Sequence, residues 1–166
     1  MINKINDLSK SSFTEVFGNV FENASWIAEK LYENKPFENF EDLSAKMLDI
    51  FECTSEENKL KIFSSHPDLA DKTKIGLLTP DSNKEQNNAG LDQCTEKEFN
   101  DFKTLNNKYK KKFGFPFIYA VTGKSKIEVL NTFKERVTYD INDEFIEATK
   151  QVKKIAKLRM DEINKQ

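Results

Sequence analysis

Helix-start signals recur along this chain with little to interrupt them. Ser12 with Glu15, Thr54 with Glu57, Thr95 with Glu98 and Ser125 with Glu128 each set a hydroxyl three residues ahead of a carboxylate, at the head of an apolar-periodic run. In that spacing the two side chains bond the backbone N–H groups that a helix start leaves unpaired. Against these starts stand only 5 Gly and 4 Pro in 166 residues. A β-sandwich or barrel needs a turn signal every few residues. The pattern therefore predicts an all-α, single-domain helical bundle over residues 1–166, a length sufficient to bury a core, with much of that core filled by the 14 Phe residues.

The spacing of apolar residues places the elements. The Ser12 signal opens a run through Phe13, Val16, Phe17, Val20 and Phe21. A second helix is expected from Ala24 to Glu33, with Trp26, Ile27 and Leu31 inward, broken by Lys35-Pro36. A third covers about Phe40 to Glu52, with Leu43, Met47, Ile50 and Phe51 on one side. A fourth, capped by Thr54, carries Leu60, Ile62 and Phe63 and stops near His66-Pro67. Thr79-Pro80 reads as a cap followed by proline at the first helical position, and Gly90 as the end of that helix. The Thr95 helix bears Phe99, Phe102, Leu105 and Tyr109 and ends at Gly114. The Ser125 helix bears Ile127, Leu130, Phe133 and Val137, and a long last helix starts near Asn142. Two stretches stay outside helices. One is a long loop between Ser65 and Thr79. The other is Phe115 to Val121, a continuous apolar run read as an extended, buried connection, because Pro116 argues against a central strand.

Charge and cysteine content exclude several function classes. The net charge is -2, with Lys and Glu mixed along the chain, which argues against a nucleic-acid partner. The densest basic stretch, Lys108 with Lys110, Lys111 and Lys112, reads as the solvated end of a helix, where cations suit the dipole. Cys53 and Cys94 stand apart without a partner motif, so reduced bystanders are expected, with no disulfide framework and no zinc site. MINKINDLSK at the start has no apolar signal region, and no segment approaches a bilayer-spanning length, so no membrane partner and a cytoplasmic location are the expectation. The oligomeric state stays open, a homodimer included.

Three sets of residues could carry chemistry. His66 is the only histidine, held between a predicted helix end and Pro67. It is either a proton-transfer group or a structural helix-end residue. Ser82 and Glu85 share a helix face, and Glu85-Gln86 puts a carboxylate beside an amide. That combination suits a urea-like group, and equally a solvated face. Arg159 falls on the apolar stripe of the last helix, Phe145, Ala148, Val152, Ile155 and Ile163. A cation on a core-facing stripe must be paired or must reach a ligand. A buried ion pair and a ligand arginine are both open.

Several runs together resemble one family. They are His66-Pro67-Asp68-Leu69-Ala70, Leu78-Thr79-Pro80, Ser82 with Glu85-Gln86, Ala89-Gly90-Leu91, Phe113-Gly114-Phe115-Pro116-Phe117-Ile118, and Lys157-Leu158-Arg159-Met160. In this order and spacing they resemble the 2-oxo-4-hydroxy-4-carboxy-5-ureidoimidazoline (OHCU) decarboxylases. The resemblance implies an all-α enzyme with no metal or organic cofactor. Its substrate would be a small ureidoimidazoline that loses CO2 to give (S)-allantoin in urate breakdown. It implies His66 and Glu85 as catalytic residues. Ser82, Gln86 and Arg159 would bind substrate, Pro67 would line the pocket, and backbone groups of Phe117, Ile118 and Tyr119 would contact the substrate. The chain departs from the family at Tyr139, where an asparagine is usual. Arg136, just before it, reads as structural.

Two competing readings remain at this stage. A hydrolase acting on ureides would need a second carboxylate near His66, for which Asp68 is the local candidate. A non-catalytic ureide- or protein-binding module could keep the fold, and His66, Glu85 and Arg159 occurring together speak against it.

Overall fold

A computed structural model describes residues 1–71 and 78–166. Among these residues there are nine α-helices and no strand. The helices are α1 (Ile2–Asn6), α2 (Lys10–Phe17), α3 (Ser25–Tyr32), α4 (Phe40–Glu52), α5 (Glu56–Ser64), α6 (Pro80–Asn88), α7 (Glu96–Phe113), α8 (Lys126–Arg136) and α9 (Ile141–Asn164). A 3-10 turn, Leu91–Gln93, follows α6. No helix among the described residues is long and apolar enough to cross a membrane. The expected long loop from Ser65 to Thr79 lies partly outside the described residues, and its flanks, 65–71 and 78–79, are non-helical.

The residues group into two compact units. The first comprises Met1–Ser65 with Val152–Gln166, the second His66–Gln151. In the first, α2 packs on α3 and α3 on α4. Its core is aromatic at one end, where Phe13 lies 4.7 Å from Phe17 and 6.0 Å from Phe37, and Phe21 lies 5.0 Å from Phe51. The C-terminal part of α9 is tied to α4 by Lys153–Glu52 and Lys157–Glu41. These are partly exposed pairs and contribute little to stability.

The second unit is built around Tyr109. Its ring meets Phe113, Phe115, Phe117 and Phe133, and Phe117 stacks on Phe133 at 3.9 Å. Phe115–Val121 is neither helix nor strand and is buried except at Tyr119. This agrees with the reading of a buried connection. A buried non-helical segment needs partners for its polar backbone. The Ile118 carbonyl accepts from Arg136, and the Ala120 N–H donates to Gln151.

Four helix starts were read from hydroxyl–carboxylate pairs, and two of them move. The cap of α2 is Ser9, whose hydroxyl oxygen accepts the Ser12 N–H, so Ser12 sits inside the helix. The cap of α5 is Ser55, one residue after Thr54, and accepts the Asn58 N–H. In both cases two serine or threonine residues compete for one role. Three-residue spacing to a carboxylate cannot separate them, because a hydroxyl cap works with any residue at the third position. Thr79, Thr95 and Ser125 cap as expected, and Pro80 occupies the first turn. Gly90 and Gly114 follow their helices in the left-handed region, at φ 75° and 80°.

Some side-chain assignments also change. Val16, Leu60 and Ile127 are exposed, and Val129 is the buried residue near the start of α8. Trp26 and Ile50 are only half-buried. Val20 and Phe21 are core residues but follow the end of α2, since Gly18 caps it. The basic run is not simply solvated. Lys110 pairs with Asp68 at 2.6 Å, and Lys112 donates to the carbonyls of Val137 and Tyr139, beyond the last turn of α8. That turn closes with the Tyr139 N–H donating to the Arg136 carbonyl.

Ser125–Glu128 forms a complete capping box. Removing its hydroxyl by Ser125→Ala should destabilise the protein by about 1 kcal/mol, measured as a fall in the denaturant midpoint with an unchanged slope. The Ser125 backbone N–H holds the Glu128 carboxyl below its ordinary value. The box therefore contributes above the unfolded-state pKa and is lost as pH falls through the lower, folded one. The stability lost in a Glu128→Ala variant should therefore narrow under acid conditions.

Candidate active site

His66 follows directly on the C-terminal cap of α5, Ser65, and is half-buried. Helix α5 ends here because Pro67 excludes helical geometry from the residue before it. The chain then makes a short turn through Asp68, Leu69 and Ala70, and Ala70 lies at φ 53°. This turn faces α6, whose residues Ser82, Glu85 and Gln86 were singled out from the sequence.

Ser82 and Gln86 are buried and Glu85 is half-buried. A polar helix face in contact with water would show the opposite pattern. Gln86 accepts the Ala70 N–H at 3.1 Å on Oε1 and donates from Nε2 to the Asp68 carbonyl at 3.3 Å. The helix that carries Glu85 is thus bonded to the loop that carries His66. The Asp68 carboxylate is held by Lys110. It is therefore engaged as an ion pair.

Phe117 and Ile118 are buried and Tyr119 is half-buried. Their conformation is set by a charged cluster buried in the same unit. Arg136 donates from Nε to both oxygens of Glu144, at 3.0 and 3.2 Å, and from Nη1 to the Ile118 carbonyl at 2.6 Å. Its guanidinium lies 4.5 Å from the centre of the Phe117 ring, a cation–π contact. Tyr109 Oη also bonds Glu144. Burial, and then the Glu144 hydrogen bond, push the Tyr109 phenol far above its ordinary range, so it stays a donor. Arg136 is structural, as the sequence reading had it. The Ile118 carbonyl is committed to Arg136, which leaves the other polar backbone groups of Phe117–Tyr119 as the ones that could meet a substrate.

Arg159 belongs to the first unit. It is 7% exposed, and its Nη2 pairs at 3.0 Å with Glu22, which is 3% exposed. Nη1 reaches the carbonyls of Asn19 and Val20 at 3.4 and 3.3 Å. The buried ion pair that the sequence left open is present.

The model of the family described as OHCU decarboxylase matches residues 6–161 of this chain. The chain belongs to the OHCU decarboxylase family. A uric acid degradation bifunctional protein of Bacillus sp. strain TB-90 is 43% identical over 162 residues, which cover 98% of this chain and 32% of that one. The chain thus spans about a third of that longer relative. A 2-oxo-4-hydroxy-4-carboxy-5-ureidoimidazoline decarboxylase of Halalkalicoccus jeotgali is 32% identical, over 98% of this chain and 90% of its own. A solved (S)-allantoin synthase superposes with a TM-score of 0.79 at 27% identity, over 98% of this chain and 54% of that one. The resemblance read from the run His66–Ala70 and from the later motifs therefore holds at the level of the family.

Several buried polar residues went unread in the sequence. Asn106 is buried on α7 and donates to the Leu69 carbonyl at 3.0 Å. It falls on the stripe of that helix, four residues after Phe102 and three before Tyr109, the same signal that exposed Arg159. Glu22 lies between Phe21 and Ala24, an acid inside an apolar run. Glu144 falls four residues before Ala148 on the α9 stripe. Each is a buried polar group answered from another segment of the chain. Among the described residues, no group of three or more His, Cys, Asp or Glu comes together as a metal site. Both thiols are free. Burial, followed by the charge of Glu98, raises the Cys94 thiol, which disfavours the reactive thiolate.

Proposed function

We propose that this protein decarboxylates 2-oxo-4-hydroxy-4-carboxy-5-ureidoimidazoline to (S)-allantoin and CO2, as a carboxy-lyase of urate breakdown. Membership of the family carries the reading, and the His66 loop bonded to the Glu85 helix is the structural observation behind it. Loss of CO2 breaks the bond between the carboxylate and the ring carbon and leaves the electron pair on that carbon. The conjugated C=N of the substrate takes up the pair, so the substrate supplies its own electron sink. The nitrogen of that C=N takes a proton, a second proton adds to the neighbouring ring carbon that bears the ureido group, and the hydroxyl on the carbon that lost CO2 gives up its proton to become a carbonyl, which completes the product.

The protein's task is then to orient the carboxylate, stabilise developing charge and control the proton. His66 bonds the hydroxyl or carboxyl group of the substrate and moves a proton, with Pro67 lining the pocket beside it. Glu85 accepts the ureido N–H groups. Gln86 keeps one amide hydrogen beyond its two loop bonds and offers it to the substrate, with Ser82 on the same face. Backbone groups of Phe117, Ile118 and Tyr119 contact the substrate. Arg159 is assigned to the substrate by the family likeness, and its fork suits paired oxygens.

The test is direct. Freshly generated substrate should lose its ultraviolet absorbance faster with enzyme than without it, and chiral analysis should find one enantiomer of allantoin. A racemic product at the uncatalysed rate would defeat the proposal. Preincubation with a chelator should leave the rate unchanged, and a loss restored by added metal would overturn the cofactor-free mechanism.

A further inference from the structure

Gln86 is bonded to the loop at both ends of its amide. Oε1 takes the Ala70 N–H and Nε2 the Asp68 carbonyl. Between these two, Asn106 of α7 takes the Leu69 carbonyl, and Lys110, one turn further along α7, holds the Asp68 carboxylate. Side chains from two helices thus supply partners that regular structure would otherwise provide to the backbone of Asp68–Ala70. Ala70 at φ 53° occupies a region that an L residue keeps only when its surroundings hold it there. A cavity of about 510 Å³ lies against the loop, lined by Asp68, Ala70, Asn106 and Lys110 among others. Hydrogen bonds, more than close packing, fix this side of the loop.

His66 is two residues from the first clamped group. Pro67, between them, has a φ fixed by its ring. Little rotational freedom separates the clamp from the imidazole. We infer that Gln86 is a positioning residue for His66, fixing the loop from which the imidazole projects, and that Asn106 shares this task. The inference rests on the proposed role of His66 in proton transfer. The clamp needs a planar group that accepts from one backbone N–H and donates to a carbonyl two residues earlier. Glutamine does both, glutamate keeps only the acceptor, and methionine keeps neither.

Because His66 is the only histidine, its imidazole gives a single, unambiguous set of NMR signals in the free enzyme. Gln86→Met and Asn106→Leu should each shift or broaden those signals and move their titration midpoint with no substrate present. Gln86→Glu should do so partially. In turnover assays kcat should fall about 10- to 100-fold in both Gln86→Met and Asn106→Leu through misplacement of the imidazole, with KM within about twofold of wild type in Asn106→Leu and raised in Gln86→Met, which also loses the hydrogen that Gln86 offers the substrate. Circular dichroism checks that the helices persist, and the milder Gln86→Glu change serves if Gln86→Met does not fold. Unchanged His66 signals in folded Gln86 and Asn106 variants would overturn the inference. So would a raised KM with normal kcat in Gln86→Met alone, since that pattern marks a substrate ligand and nothing more. A wild-type enzyme without decarboxylase activity would defeat the proposed function, and the free-enzyme spectra would then decide the positioning role by themselves.

Discussion

Replacing His66 by Asn or Ala is expected to remove the catalysed reaction while leaving the helices in place. A positioned general acid or base contributes about 10²- to 10⁴-fold to rate, so kcat/KM should fall by at least that range. The scaffold should tolerate the change. His66 is half-buried beyond the last turn of α5, and the core of its unit is carried by Tyr109, Phe102, Phe117 and Phe133, all 0–1% exposed. The measurement is the rate above an enzyme-free control together with the enantiomeric excess of allantoin. A variant that keeps both would show that His66 does not move the proton. A variant that keeps neither and also melts early would show that the helix end, and not the imidazole, had been tested. Asn keeps a hydrogen-bonding side chain, so the pair of substitutions separates bonding from proton transfer.

The second large effect is expected at Arg159. Arg159→Met should destabilise the protein by about 3–5 kcal/mol, because it leaves the Glu22 carboxylate buried without its cation. In a chain of this size that corresponds to a drop in Tm on the order of 10 °C. Arg159→Lys keeps the charge and loses the fork. If Arg159 also binds substrate, kcat/KM of the lysine variant should fall ~10-fold or more, the equivalent of one charge-assisted bond worth roughly 1.5–3 kcal/mol, with a much smaller change in Tm than the methionine variant shows. Normal kinetics in Arg159→Lys, beside a large melting loss in Arg159→Met, would make Arg159 a scaffold residue alone. A Tm unchanged in Arg159→Met would instead show that the Glu22 pair contributes nothing net.

The sequence was most informative where physics is local. Thr79-Pro80, Thr95, Ser125 and Gly114 announce helix ends because caps act over three or four residues. The apolar stripe of α9 made Arg159 stand out because a 3.6-residue period assigns a face. Resolution failed where two local choices were nearly equal. Ser9 against Ser12 and Ser55 against Thr54 are each a hydroxyl within a few residues of another, and the tertiary fit of the following helix selects between them. It failed also for Val16, Leu60 and Ile127, since a stripe on a short helix is wide and only the neighbouring elements decide which of its edges is covered.

His66, Ser82, Glu85 and Gln86 were legible as candidates, and the family likeness turned candidates into an ordered set. What they touch was not legible. The sequence could offer an ion pair or a ligand for Arg159 but could not name Glu22, 137 residues away. It marked Lys110 as solvated, although Lys110 holds Asp68 across 42 residues. It placed Gln86 beside Glu85 without showing that its amide bonds the loop of His66. By itself the sequence determined the all-helical class, most helix ends, the buried connection at Phe115–Val121 and the residues able to do chemistry. Each of these follows from spacing and residue type over a few turns. Only the tertiary structure decided which buried polar group answers which. Hydrogen bonds and ion pairs need atoms within about 3 Å, and separation along the chain says nothing about which atoms a fold will bring that close.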